Sequence, residues 1–281
     1  MIGRAYGAGT ILNALATGIG SAFGVNLVTR ARVKIGSENI LVVNGRERDS
    51  GILETILSPF GIRAKISVRS TIPERSGLGS SSAFINSVLC ALMKKNGEIF
   101  AHRVLKLNAE ISLKAKISYT GAFDDASASL LGGIVVSNNY GMKLKNWIPL
   151  AKRVAILIPE FQRGEVNWNR IKNESDRLKN ALKKLEMLKF REVMVENTRY
   201  YCEMIGYPLD IAERVWGEGI CCGLSGNGPA FVAIGNSDEV LTAKEIWEEY
   251  GEVFLGKIPE KPAEKVVITS ELFEETQNGA D

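Results

Sequence analysis

Pro73-Glu74-Arg75-Ser76-Gly77-Leu78-Gly79-Ser80-Ser81-Ser82-Ala83 separates two stretches of different hydrophobic period. Upstream, Ala64, Ile66 and Val68 alternate with Lys65, Ser67 and Arg69, the period of a half-buried strand. Downstream, Phe84, Val88 and Leu92 run beside Ile85 and Leu89 at helical spacing. A strand therefore passes through a glycine turn into a helix that begins near Ser80. Gly77 and Gly79 permit positive φ and close backbone approach. The first amides of the helix have no intrahelical acceptor and carry a partial positive charge, which suits triphosphate oxygens. Ser80, Ser81 and Ser82 can cap the helix, donate to phosphate or offer a hydroxyl to Mg²⁺. A capped helix with no ligand would use the same residues.

Working outward, Ala31 to Ile35 and Ile40 to Val43 read as strands, and Gly97 to about Lys116 as a second helix. A turn-rich segment from Tyr119 leads to a small-residue helix, Ala126 to Leu131, ended by Gly132-Gly133. Ile134 to Ser137 and Val154 to Pro159 read as strands, with a domain boundary placed near residues 140 to 152. Glu174 to Glu196 and Tyr200 to Glu218 are helical in pattern. Strand, glycine loop and strand follow from Gly219 to Ile234, then a helix from Glu239 to Tyr250 and strands near Val253 and Val266. This order predicts an α+β fold with helices on one face of a mainly antiparallel sheet. The 281 residues favour two packed domains, 1–150 and 151–281.

The 35 basic and 32 acidic residues leave a formal charge of +3, which argues against a general nucleic-acid or membrane surface and requires any anion to be caught locally. No apolar run spans a bilayer and no signal peptide is evident, so a cytoplasmic location is expected. The four cysteines lack C-x-x-C spacing, and the single histidine, His102, reads as a solvent-side residue rather than a member of a Ser-His-Asp triad. Gly251 to Ile258 imitates a nucleotide-binding G-x-x-x-x-G-K-[ST] loop, but Ile258 replaces the hydroxyl and no helix follows.

Three further stretches are candidates for chemistry. Glu110 falls on the apolar arc of its helix and is either an ion-pair partner of Lys114 or a Mg²⁺ ligand. Asp124 and Asp125 precede the small-residue helix; one carboxylate suffices to cap it, and a second could accept or orient the proton of a phosphoryl acceptor. Leu224-Ser225-Gly226-Asn227-Gly228-Pro229 holds more glycine than a hairpin requires, so backbone must approach substrate, phosphate or the neighbouring domain.

With these residues laid out, the chain resembles the GHMP kinase superfamily. Pro73 to Ala83 is similar to its phosphate loop, Asp125 to Gly133 to its acid-to-Gly-Gly segment, and Leu224 to Pro229 to its third motif. The resemblance implies a nucleotide-binding N-terminal domain with a left-handed β-α-β element, a ferredoxin-like C-terminal domain, and a site between them. It implies phosphate contacts from Pro73, Ser76, Gly77, Leu78, Gly79, Ser80, Ser81, Ser82 and Ala83, Mg²⁺ held by Ser81 and Glu110, and Asp125, with Asp124 beside it, as the catalytic acid. The opening Gly3 to Ile11 and Asn13 to Gly24 look like the archaeal shikimate kinase branch, whose members take ATP and shikimate. On motif position Thr10, Asn13, Thr17, Ser225 and Asn227 are then expected at the acceptor. Thr10 stands where several members carry a lysine, leaving charge neutralisation to Mg²⁺, the helix dipole or a basic residue such as Arg4. Homoserine or mevalonate kinases, and a non-catalytic ligand- or RNA-binding member, are the alternatives. A homodimer is compatible with the sequence, which does not set the oligomeric state.

Overall fold

The structure is a computed structural model that describes residues 1–275. Its first layer is built on β1 (Ile2–Leu12) and the long β2 (Ile19–Gly36), which pair antiparallel along almost their whole length. The opposite edge of β2 is shared: residues 19–23 pair with β6 and residues 29–36 with β5. The short strands β3 (Ile40–Val43) and β4 (Arg46–Arg48) extend the β5 side, and α1 (Gly51–Leu57) crosses from them to β5 (Arg63–Ser70), which pairs parallel with β3. This supplies a β-α-β element. The alternation in β5 holds: Ala64, Ile66 and Val68 are buried, as are Ala31 and Val33 of β2 opposite them.

The buried face is covered by α2 (Ser80–Met93), α3 (Ala101–Lys114) and α4 (Phe123–Leu131), and β6 (Ile134–Asn138) and β7 (Lys143–Ile148) complete the sheet. The sequence reading missed β7, whose half-buried residues carry no clear alternation. A buried amide network locks the three helices together. Asn108 Nδ2 donates to Ser82 O and Asn86 Oδ1, and Asn86 Nδ2 donates to Ala126 O. Buried polar groups satisfied in this way specify one arrangement of the helices and keep the starts of α2 and α4 in fixed relation.

The second layer begins at β8 (Arg153–Pro159). The helices α5 (Trp168–Asn173), α6 (Lys179–Glu186), α7 (Phe190–Ile205) and α8 (Asp210–Gly217) precede β9 (Cys221–Leu224) and β10 (Phe231–Gly235). Then come α9 (Ser237–Trp247) and β11 (Gly251–Lys257). The antiparallel order β11-β8-β10-β9 is a ferredoxin-like sheet. The helical pattern read from Tyr200 to Glu218 is two helices, because Gly206 takes a left-handed φ of 87° and Pro208 follows. The decoy Gly251–Lys257 is an edge strand. Past β11 the chain returns to the first layer, where Gly133 N donates to Pro259 O, Ala263 N to Leu130 O and Ala101 N to Val267 O. Val266 is therefore part of a strap rather than a strand. His102 is half-buried and fastens that strap through Thr269 and Glu271, in place of the solvent-side position expected.

Candidate active site

One cavity of about 370 Å³ lies where the two layers meet, within the usual range for small-ligand sites. Two helices begin at it. Gly79, in the left-handed region at φ 64°, is the N-cap of α2, and no side chain caps that helix. The first-turn amides of Ser80, Ser81 and Ser82 are thus without an intrahelical acceptor or a side-chain cap, so the serines leave both amides and dipole to an anion. Gly77, Gly79, Ser80, Ser81 and Ser82 line the cavity. Pro73, Ser76, Leu78 and Ala83 do not; they shape the turn. Ser76 Oγ donates to Pro73 O at 2.8 Å, Leu78 is buried with its carbonyl accepting from Ala8 N, and Ala83 sits in the core.

The third glycine motif clamps this turn. Ser225 Oγ donates to Gly77 O at 2.9 Å and accepts from Thr10 N at 3.2 Å, while Gly226 N donates to Thr10 Oγ1 at 2.8 Å. A Cβ at Gly77 would stand 2.2 Å from Ser225 O, and φ there is 88°, so only glycine fits. Ser225 is fully buried and lies outside the cavity lining, and Thr10 lines the cavity with its hydroxyl already accepting. Of the other residues expected at the acceptor, Asn13 and Asn227 line the cavity and bond to each other, Nδ2 to Oδ1, at 2.9 Å. Thr17 lies outside the lining and closes its own turn against Ile19.

The acid pair enters from α4. Its N-cap is Ala122, at φ 49°, and neither aspartate caps the helix. Asn139 does so from outside: its Oδ1 accepts from Asp124 N at 3.1 Å and its Nδ2 donates to Asp124 Oδ1 at 2.8 Å. Gly20 leaves space for the other oxygen, since a Cβ there would lie 2.3 Å from Asp124 Oδ2. Asp125 Oδ1 is buried with no hydrogen-bond partner. Burial raises the pKa of both carboxyls. For Asp125 the neighbouring charge of Asp124 adds to the rise, which is large, whereas for Asp124 the Asn139 bond opposes it.

Glu110 is exposed on α3, outside the cavity lining, and makes no ion pair with Lys114 among the described residues. Arg4 pairs with Glu264 on the first layer, so it is not the cation of this site. The cations in the lining are Arg75 and Arg163. Sequence reasoning singled out neither of them, nor Asn139 and Gly20.

Residues 48–133, which include the serine turn and the acid pair, match the family model described as the GHMP kinases N terminal domain. Across 97% of its length the chain is 47% identical to a shikimate kinase of Archaeoglobus fulgidus, covering 98% of that protein. The chain belongs to the GHMP kinase family. A shikimate kinase of Pyrococcus abyssi is 35% identical over 89% of the chain and 96% of its own length. Among solved structures, the mevalonate kinase of Methanococcus jannaschii shares the fold of this GHMP kinase at a TM-score of 0.66, with 15% identity over 92% of the chain and 98% of that structure. A phosphotransferase related to the CoA biosynthesis pathway superposes at 0.67 with 17% identity, over 93% and 97%.

As a GHMP kinase the protein is an ATP-dependent phosphotransferase. The cavity also suits the metal that accompanies nucleotides in such enzymes. Its lining offers serine hydroxyls and two carboxylates, one with an unpartnered oxygen, and neither sulfur nor imidazole. Hard oxygen donors of this kind fit Mg²⁺, which commonly takes one or two protein ligands and completes its shell with phosphate and water. Among the described residues no group of three or more acidic, histidine or cysteine side chains is placed to hold a metal ion. No helix of the described residues is long and apolar enough to cross a membrane.

Proposed function

We propose that this GHMP kinase transfers the terminal phosphoryl group of ATP to the 3-hydroxyl of shikimate, giving shikimate 3-phosphate and ADP. The observation that carries it is the place of Asp125 in the lining of the cavity that also receives the uncapped start of α2. The near full-length similarity to a shikimate kinase supports the choice of acceptor.

The amides and hydroxyls of Ser80, Ser81 and Ser82 bind the phosphates, with Arg75 beside them, and hold the transferred group in line with the acceptor. The Ser81 hydroxyl would hold Mg²⁺ together with the nucleotide's own oxygens, and the ion would supply charge neutralisation on the phosphates. Asp125 accepts the acceptor's hydroxyl proton on its carboxylate, which lines the cavity. Asp124, fixed by Asn139 and by the space at Gly20, keeps its neighbour's proton affinity high enough to take that proton. Ser225 and Thr10 act through the phosphate turn by clamping its backbone. Asn13 and Asn227 present their joined amides to the acceptor's other hydroxyls.

Purified protein with Mg-ATP and a panel of shikimate, homoserine and mevalonate, read by ADP release, tests the assignment. Shikimate is expected to support turnover. Turnover with homoserine or mevalonate and none with shikimate would remove it.

A further inference from the structure

We propose that Arg163 is the receiver of the acceptor's carboxylate, an assignment that rests on the function proposed above and names the part of the site that selects a carboxylated acceptor. A carboxylate leaving water needs a cation, preferably the planar fork of an arginine, which can meet both its oxygens. The cavity lining contains two such groups, Arg75 and Arg163, and no lysine. Neither guanidinium takes part in an ion pair or side-chain hydrogen bond among the described residues.

The two arginines enter the cavity lining from different segments of the chain. Arg75 sits in the turn that delivers the start of α2, directly before Ser76 and Gly77, and so belongs with the phosphates. Arg163 lies in the segment from Glu160 to Asn167 that joins β8 to α5, and this segment is anchored next to Arg163 and again where α5 begins. Gly164 N donates to the Tyr207 hydroxyl at 2.9 Å, and that hydroxyl donates to Asn227 O at 3.0 Å. Gly164 is pressed so closely on the end of α7 that a Cβ there would fall 2.6 Å from Ile205 Cγ2. At the far end, Trp168 stacks on Tyr119 with ring centroids 5.3 Å apart and planes 8° from parallel.

Tyr119 belongs to the stretch Ile117–Thr120, which lines the cavity and runs into α4, the helix of Asp124 and Asp125. The stacked rings therefore tie the Arg163 segment to the loop that delivers the acids, and Tyr207 ties it to Asn227 of the lining. Arg163 is held on the acceptor side while the phosphates are already served by Arg75, three serines and a helix start. The rest of the lining narrows the acceptor further. Its only acidic groups are Asp124 and Asp125, so a zwitterionic amino acid would find a receiver for its carboxylate and none for its ammonium apart from the reacting acids. An uncharged ring bearing hydroxyls and one carboxylate meets every group present.

The test compares R163Q, R163K and R75Q with the wild type, using shikimate and its methyl ester as acceptors and reading both turnover and calorimetric binding of the acceptor. For R163Q, KM and the dissociation constant for shikimate should rise roughly 10- to 100-fold, as expected for losing a charge-assisted pair, with KM for ATP unchanged. R163K should fall between them. The methyl ester should bind R163Q and the wild type equally, a result that a merely structural role for Arg163 would not give. R75Q should raise KM for ATP and leave shikimate binding intact. Equal shikimate binding by R163Q and wild type, or equal loss for acid and ester, overturns the assignment while leaving the kinase reading standing. A wild type that neither binds nor turns over shikimate overturns both.

Discussion

Asn139 Nδ2 donates to Asp124 Oδ1 at 2.8 Å, while Asp125, the next residue, keeps a buried carboxylate oxygen with no partner. Two adjacent carboxyls on one helix turn are thereby made unequal. The first is fixed and partly compensated; the second feels burial and the charge of the first, and its pKa rises well above the ordinary carboxyl range. Groups driven apart in this manner divide acid–base work between them.

Asp125→Asn is expected to lower kcat by about 10²- to 10⁴-fold with little effect on KM for ATP, since it removes a proton acceptor and no phosphate contact. The pH profile of wild-type kcat should have its acidic limb above the ordinary carboxyl pKa. Stability should move the other way. A carboxyl whose folded pKa exceeds its unfolded value of about 3.9 contributes stability below that pH and loses it as pH rises through the folded value. Asparagine has no such dependence, so the variant should melt higher than the wild type near pH 7–8, with the difference disappearing below about pH 4. Thermal melts across that range would check it, and a variant less stable at pH 8 would contradict the raised pKa.

Gly20→Ala would place a methyl group 2.3 Å from Asp124 Oδ2 and 2.9 Å from its Cβ. Asp124 cannot retreat without breaking its bond to Asn139. A displaced acid pair should lower kcat by at least about 10-fold, given that misplacements near 1 Å can cost about 10²-fold, with KM for ATP nearly unchanged. Steady-state kinetics beside a melting curve would separate this from unfolding.

The serine turn was legible because it contains its own reasons. A change of hydrophobic period located the strand and helix on either side, and glycine identity marked the positions that need φ of 88° and 64°. The acid pair was legible as two carboxylates where one cap would suffice. Asn139 and Gly20 were not, because their roles exist only when β2, α4 and the turn after β6 are brought together, and neither lies at a recognisable spacing from Asp124. Arg163 was hidden for the same reason: nothing in Phe161-Gln162-Arg163-Gly164 distinguishes it from a solvated loop until Tyr207 and Trp168 anchor its segment. The motif after β9 was legible as glycine that must approach something, but the partner is the phosphate turn itself.

Ser225→Ala tests that last point. The hydroxyl accepts from Thr10 N and donates to Gly77 O, so its loss leaves a buried amide and carbonyl short of a partner, at a cost of about 1–3 kcal/mol. Melting temperature should fall by a few degrees, and KM for ATP should rise more than KM for shikimate, because the loosened element is the turn under the phosphates. A selective rise in KM for shikimate with unchanged stability would instead put the hydroxyl on the acceptor.

The exposed face of the first sheet carries a further consequence of the registers. Arg30 of β2 stands between Arg4 of β1 and Arg69 of β5, and Lys34 stands opposite Lys65, all exposed. Apart from the Arg4–Glu264 contact, these side chains form no ion pair among the described residues. Like charges directly opposite each other on one face are destabilising, whereas opposite charges contribute roughly 0.2–1 kcal/mol. Lys65→Glu should therefore raise the melting temperature by up to about 2 °C in dilute buffer, the shift expected for ~1 kcal/mol in a chain of 281 residues. The gain should shrink in 1 M salt, where the Debye length falls to about 3 Å. Melting curves of both proteins at low and high salt would decide it, since a substitution that acted through strand propensity would give the same difference in both buffers.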